Sequence, residues 1–318
     1  MTTLVQSPRM WRPLRFVSVA GMLMAGWAVA APGASAAAST AVDCSASSLQ
    51  TAINNASAGA SLLVSGTCSG TYTINQNLTL IGHRSAVLDG QGAGTTLTVA
   101  PGATVQATNL TITAGDAVDG GGIDNSGALT LNHVSVTNSF GDSGGGIFNN
   151  SSASLSLKNQ TTVSLNDSGS FGGGIYNEGA MTLNSSTVTE NLSANGAGGV
   201  FNTGSVPGSV SNTTISGNFT SGSGGGIFNL LDNISLTNSS VTGNTAVLEG
   251  GGIDNNAGTT TLKNSIVTSN AAESGESGTF GGGIFDFSGQ VLLTGSSRVS
   301  GNSPDNCAPT GIVPGCTG

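Results

Sequence analysis

The sequence predicts an all-β, single-domain parallel β-helix with a short N-terminal capping helix. Three observations lead there. A glycine-rich tract ending in Ile or Val recurs seven times at spacings of 24 to 31 residues, and a period in that range marks a solenoid. Behind each of the first six tracts lies a segment in which apolar residues alternate with Ser, Thr and Asn, as in a strand with one buried face. The composition agrees: 51 of 318 residues are Gly, only 7% are charged and 4% aromatic. An ordinary α/β enzyme would carry about a quarter charged residues. The 37% hydrophobic share excludes a disordered chain, and the clustering of the glycines excludes collagen.

The N-terminal segment reads as an export signal. Arg9, Arg12 and Arg15 precede an apolar run over residues 16–31, and Ala34-Ser35-Ala36 follows as a small-residue cleavage site. Residues 1–36 are therefore assigned as a signal peptide, and residues 37–318 as the β-helix domain. The apolar run is shorter than the roughly 20 residues that a membrane span needs. No second such run follows, so no span is expected after cleavage. The mature chain keeps four basic residues (Arg84, Lys158, Lys263 and Arg298) against all sixteen acids. That balance excludes nucleic-acid binding, which depends on Lys and Arg at the phosphates. The product is expected to be secreted, extracellular or held at the cell surface.

Residues 37–115 are expected to hold the N-terminal cap and first rungs. The stretch 47–57 is a good short helix, with Leu49, Ile53 and Ala56 on one face. The four cysteines (Cys44, Cys68, Cys307 and Cys316) permit three pairings. Local pairing, Cys44 with Cys68 and Cys307 with Cys316, suits a solenoid whose ends lie too far apart to bridge. A zinc site is the alternative, but the paired-cysteine spacing it needs is absent.

Residues 116–302 carry the repeats, and residues 303–318 are expected to close the C-terminal end. The tracts read GGGIDN at 120–125, GGGIFN at 144–149, GGGIYN at 172–177, AGGVFN at 197–202, GGGIFN at 224–229, GGGIDN at 250–255 and GGGIFD at 281–286. One unit supplies two or three short strands, which is one rung. Asn125, Asn149, Asn177, Asn202, Asn229 and Asn255 share one position. Their amides are expected to hydrogen-bond up the stack as a ladder. Phe148, Tyr176, Phe201 and Phe228 share the preceding position and are expected to stack.

The tract followed by Phe-Asn, with a Thr-Val-x-x-Asn strand behind it, resembles the polymorphic outer membrane protein repeat over about residues 105–302. The resemblance implies a right-handed β-helix of the pectate-lyase-like superfamily, without the autotransporter barrel of the chlamydial surface proteins. That superfamily includes lyases, hydrolases and esterases acting on acidic polysaccharides, so the resemblance implies that carboxylates and bases could form an active site.

Asp124 and Asp254 share a repeat position but stand five units apart. Asp286 occupies the ladder position as a variant. Asp116, Asp119 and Asp142 lie before glycine tracts, in segments read as loops, and can meet across adjacent rungs to bind calcium; solvated turn acids are the plainer reading. His83, Arg84 and His133 are isolated. The glycine tracts precede strands rather than helix N-termini, so they are not phosphate loops. The longer junction between Ala271 and Phe280, with Glu273 and Glu276, is the candidate binding lip. These observations lead to a non-enzymatic, cofactor-free surface or adhesion-type protein that binds extracellular polysaccharide or another cell-surface component. The alternative is a polysaccharide lyase or hydrolase acting on an acidic, uronate-containing polymer. Ice or mineral binding is set aside, because no Thr-x-Thr column is read at one position of successive units.

Overall fold

The computed structural model describes residues 39–274 and 280–316. The signal segment read at 1–36 lies outside the described residues. The described chain forms one compact unit, a parallel β-solenoid whose strands lie in sheets of 18, 10 and 7 strands. It is consistent with right-handed winding. A full rung runs Asp116–Asp119, Ile123–Asn125, Ala128–Asn132 and Ser135–Thr137. The next runs Phe140–Ser143, Ile147–Asn149, Ser154–Lys158 and Thr162–Ser164, each strand parallel to its predecessor. A full rung thus has four short strands, where two or three were expected.

The aliphatic residue closing each tract points inward. Ile123, Ile147, Ile175, Val200, Ile227, Ile253 and Ile284 form one column, each 0% exposed. The tracts make the corner that aims them. Their first position is left-handed, at φ +65° in Gly144 and φ 51° in Ala197. The next position is closed by sterics: a Cβ on Gly145 would lie 2.1 Å from the Asp167 carbonyl oxygen. Ala is therefore tolerated at the first position, at a cost of about 1–2 kcal/mol, and excluded at the second.

Two amide ladders run through the interior. In one, Asn125 Nδ2 donates to Asn149 Oδ1 at 2.7 Å, and the pattern continues through Asn177, Asn202, Asn229 and Asn255. It ends where Asn255 donates to Asp286 Oδ1. The second ladder, absent from the sequence reading, is built from Asn166, Asn191, Asn218, Asn244, Asn270 and Asn302, each Nδ2 up to Asn270 donating to the Oδ1 of the next. Buried amides need such partners, since an unpaired polar group costs about 1–3 kcal/mol.

The large sheet bends at a column of left-handed residues. His133 (φ 58°) stands there in line with Asn212, Asn238 and Asn264. It is an exposed corner residue in a position mostly given to Asn.

Beyond that bend, the last strand of six consecutive rungs has one form, hydroxyl–aliphatic–hydroxyl. Residues 111–113, Ser135–Thr137, Thr162–Ser164, Thr187–Thr189, Thr214–Ser216 and Ser240–Thr242 pair in register, hydroxyl on hydroxyl. Among these strands Thr-x-Thr itself occurs only at 111–113 and Thr187–Thr189, so no pure Thr-x-Thr column runs through successive units, but a mixed Ser/Thr column does. Ser and Thr alternate irregularly in it.

The helix Leu49–Asn55 caps the N-terminal end, with Leu49 and Ile53 buried and Ser48 accepting from Thr51 N. Gln50 docks it by exchanging two hydrogen bonds with the Thr73 backbone. Disulfides join Cys44 to Cys68 and Cys307 to Cys316. Among the described residues, no helix is long and apolar enough to cross a membrane.

Candidate active site

The middle residue of each strand in the ten-stranded sheet points away from the core. Register sets these residues in one column: Asp124, Phe148, Tyr176, Phe201, Phe228, Asp254 and Phe285. The rings stack at the rung spacing, with centroids 5.0 Å apart for Phe148–Tyr176 and Tyr176–Phe201 and 5.1 Å for Phe201–Phe228. Phe171 leans on Phe201 from the neighbouring corner. Such contacts add about 0.5–1.5 kcal/mol per pair beyond burial. An aspartate brackets the aromatic run at each end.

The two aspartates belong to one seven-residue pattern that occurs twice: DGGGIDN at 119–125 and EGGGIDN at 249–255. The tract turns the chain between two sheets, so the acid before it and the acid inside it face each other across the corner. At the first corner, burial raises the Asp124 carboxyl above its usual range, and the neighbouring Asp119 adds to the rise. Asn150 Nδ2 donates to Asp124 Oδ1 at 2.8 Å and fixes its orientation. Asp119 is itself raised by partial burial and by Asp142 on the adjacent strand. The Tyr176 phenol is raised by burial, by Glu178 and by Asp119. Asp119 is therefore within electrostatic reach of Asp124, Asp142 and Tyr176. Raised carboxyls keep their protons to higher pH and can act as acids, as a general-acid site requires.

Asp119 and Asp142 are exposed, so this corner is open to solvent. Beside it, Phe140, Asp167, Leu192 and Phe219 line a shallow groove of about 370 Å³ on the seven-stranded sheet. Phe140 is 39% exposed and Leu192 43%. Gly169 keeps the groove continuous with the corner, because a Cβ there would lie 2.9 Å from Asp142 Oδ1.

The second corner is closed. Asp254 is 3% exposed, and its Oδ1 has no hydrogen-bond partner. Burial, with Glu249 and Asp286 nearby, raises it well above the carboxylate range. Ser223 donates to Glu249 Oε2 at 2.7 Å beside it. No substrate can reach this carboxyl, so it belongs to the frame of the column.

Asp116, Asp119 and Asp142 lie within strands rather than loops. The fold brings Asp119 and Asp142 together, whereas Asp116 stands at the far end of its strand, opposite Phe140. Among the described residues, no three His, Cys, Asp or Glu side chains converge closely enough to hold a metal ion. Asp116, Asp119 and Asp142 thus do not converge as one three-carboxylate set. Glu273 is exposed in the turn after Ala271–Ala272, and Glu276 lies outside the described residues. Sequence reasoning missed Asp124 as a partner of Asp119 and missed Tyr176 as an acid; aligning the residue before each tract would have shown the paired acids.

No protein-family model matches the chain, and no curated protein matches it. Among solved structures, it is similar to the crystal structure of alginate lyase from Paenibacillus sp. str. FPU-7, with 15% sequence identity and a TM-score of 0.42. The match covers 82% of this chain and 99% of that one. The expectation of a non-enzymatic surface or adhesion-type protein is corrected by the geometry of the first corner. The fold gathers Asp119, Asp124 and Asp142, carboxyls that had been read as scattered, at one solvent-open place.

Proposed function

We propose that this protein is a secreted enzyme that cleaves an extracellular acidic polysaccharide at the Asp119–Asp124–Asp142 corner. One observation carries the reading: the raised carboxyls of Asp119 and Asp124 and the raised Tyr176 phenol gather with exposed Asp142 at the open end of an aromatic column, beside a groove. Both disulfides suit an oxidising compartment.

Cleavage by β-elimination has three requirements. The uronate carboxylate must be neutralised, the proton α to it removed, and the leaving oxygen protonated. Protonated Asp124, oriented by Asn150, supplies a hydrogen bond to the substrate carboxylate. Asp142, exposed beside Gly169 at the edge of the groove, accepts the α-proton, the new C=C forms and the glycosidic C–O bond breaks. Tyr176, held protonated by its acidic surroundings, gives its proton to the departing oxygen. Groove residues Phe140, Leu192 and Phe219 give the sugar rings an apolar floor. Tyr176 favours elimination over hydrolysis by the same carboxyls.

The test uses the purified chain from residue 37 onward with alginate, pectate and other polyuronates. Ultraviolet absorbance of an unsaturated non-reducing end reports elimination, and new reducing ends without that absorbance report hydrolysis. Tyr176→Phe and Asp124→Asn are each expected to lower turnover by roughly a hundredfold or more. Absence of product from every polymer would overturn the reading.

A further inference from the structure

On a different face from the acid corner, six consecutive rungs present a two-dimensional lattice of hydroxyls. Its first column runs from Thr111 to Ser240 and its second from Thr113 to Thr242, in unbroken register. The spacing is about 4.8 Å between rungs and about 6.7 Å between columns, so the lattice extends for about 24 Å. Three of the twelve hydroxyls, those of Thr137, Thr189 and Ser216, take part in hydrogen bonds within the protein. The others are left to the solvent.

The lattice is backed by a buried aliphatic column. Between the columns stand Ile112, Val136, Val163, Val188, Ile215 and Val241, each at most 1% exposed. All are β-branched, with χ1 largely fixed, on strands paired on both sides. The lattice ends where Val87 and Asp89 precede it and Ile266 follows it. Within it there is no charge and no aromatic ring. The absence of charge leaves nothing to pair with an anionic polymer, and the absence of rings leaves no platform for sugar stacking. What remains is a rigid net of methyls and hydroxyls at a repeat close to the oxygen spacing on a prism face of ice.

We propose that this face binds ice. Hydroxyls in fixed register order their hydration water into a lattice that merges with the crystal. The methyl groups of the Thr residues exclude disordered water between them. Rigidity matters because the ordering entropy is already met by the fold, as in other pre-organised sites.

The experiment measures partition of the purified protein, from residue 37 onward, into a growing ice hemisphere, together with inhibition of ice recrystallisation. The expected result is incorporation into ice, lost in Thr187→Tyr and in Thr187→Lys, both of which project a larger side chain from the centre of the lattice. Thr182→Tyr, on the outer face of the neighbouring strand Ala180–Asn184, is expected to keep full incorporation. Circular dichroism establishes that each variant is folded. Exclusion of the folded wild-type protein from ice would overturn the proposal. So would retention of ice binding by both Thr187 variants, equal loss in Thr182→Tyr, or binding to crystalline cellulose or chitin in place of ice. Polyuronate turnover is read separately and is untouched by either result.

Discussion

Asn255 Nδ2 donates to Asp286 Oδ1 at 2.7 Å and closes the first interior ladder on a group that needs no further acceptor. An Asn at 286 would leave its own amide donor without a following ladder residue. Within the ladder, Asn177 both accepts from Asn149 and donates to Asn202 and the Gly179 carbonyl. Asn177→Ala strands a buried donor and a buried acceptor. A loss of about 2–4 kcal/mol is expected in urea unfolding, against about 0.5 kcal/mol or less for exposed Thr182→Ala.

The aromatic column is part of the frame that positions Tyr176. Phe201 is 4% exposed and touches Tyr176, Phe228 and Phe171. Phe201→Ala should destabilise the protein by about 3–5 kcal/mol, measured by thermal or urea unfolding. It should also lower polyuronate turnover, because Tyr176 loses one of its two stacking partners.

Asp254 makes stability depend on pH. Its folded-state pKa lies above the unfolded value, so the folded chain binds more protons between the two. Stability then falls as pH rises from the unfolded carboxylate pKa towards the folded one, and levels off above it. Asp254→Asn removes that titration. The variant should gain most on wild type in melts at neutral to alkaline pH, with the difference shrinking as pH approaches about 4. A constant difference across that range would contradict the assignment.

Gly145 tests the steric account of the tract. A methyl there meets the Asp167 carbonyl, which belongs to the backbone of the next rung and cannot swing aside. Gly145→Ala should cost about 1–3 kcal/mol or more, seen as a lowered unfolding midpoint.

Much of the fold is legible in the sequence because a solenoid writes its rung into the chain as a period. The tract, the inward Ile column and the Asn125 ladder all fall at fixed offsets from one another. The acid corner is harder to read. Asp119 and Asp124 meet because the glycines between them reverse the chain, and Asp142 arrives through strand register from the next rung. Neither relation is a spacing that recurs in every unit. The hydroxyl lattice was passed over for a different reason: Ser replaces Thr in one column or the other of four of its six strands, so a search for Thr at both positions finds only residues 111–113 and Thr187–Thr189. His133 was read as an isolated base, whereas its backbone conformation gives it a corner role that side-chain chemistry does not announce.

The central claim is that the corner at Asp119 and Asp124 performs acid–base cleavage of an acidic polysaccharide. The direct measurement is the initial rate of polyuronate depolymerisation against pH, for wild type and for Asp124→Asn. Because burial and acidic neighbours raise both carboxyls, the wild-type rate should be highest on the acid side of neutrality. It should fall as pH rises through their titration, and Asp124→Asn should lose the activity. A polymer left at full length by the folded wild-type protein, or a rate unchanged in Asp124→Asn, would contradict the account.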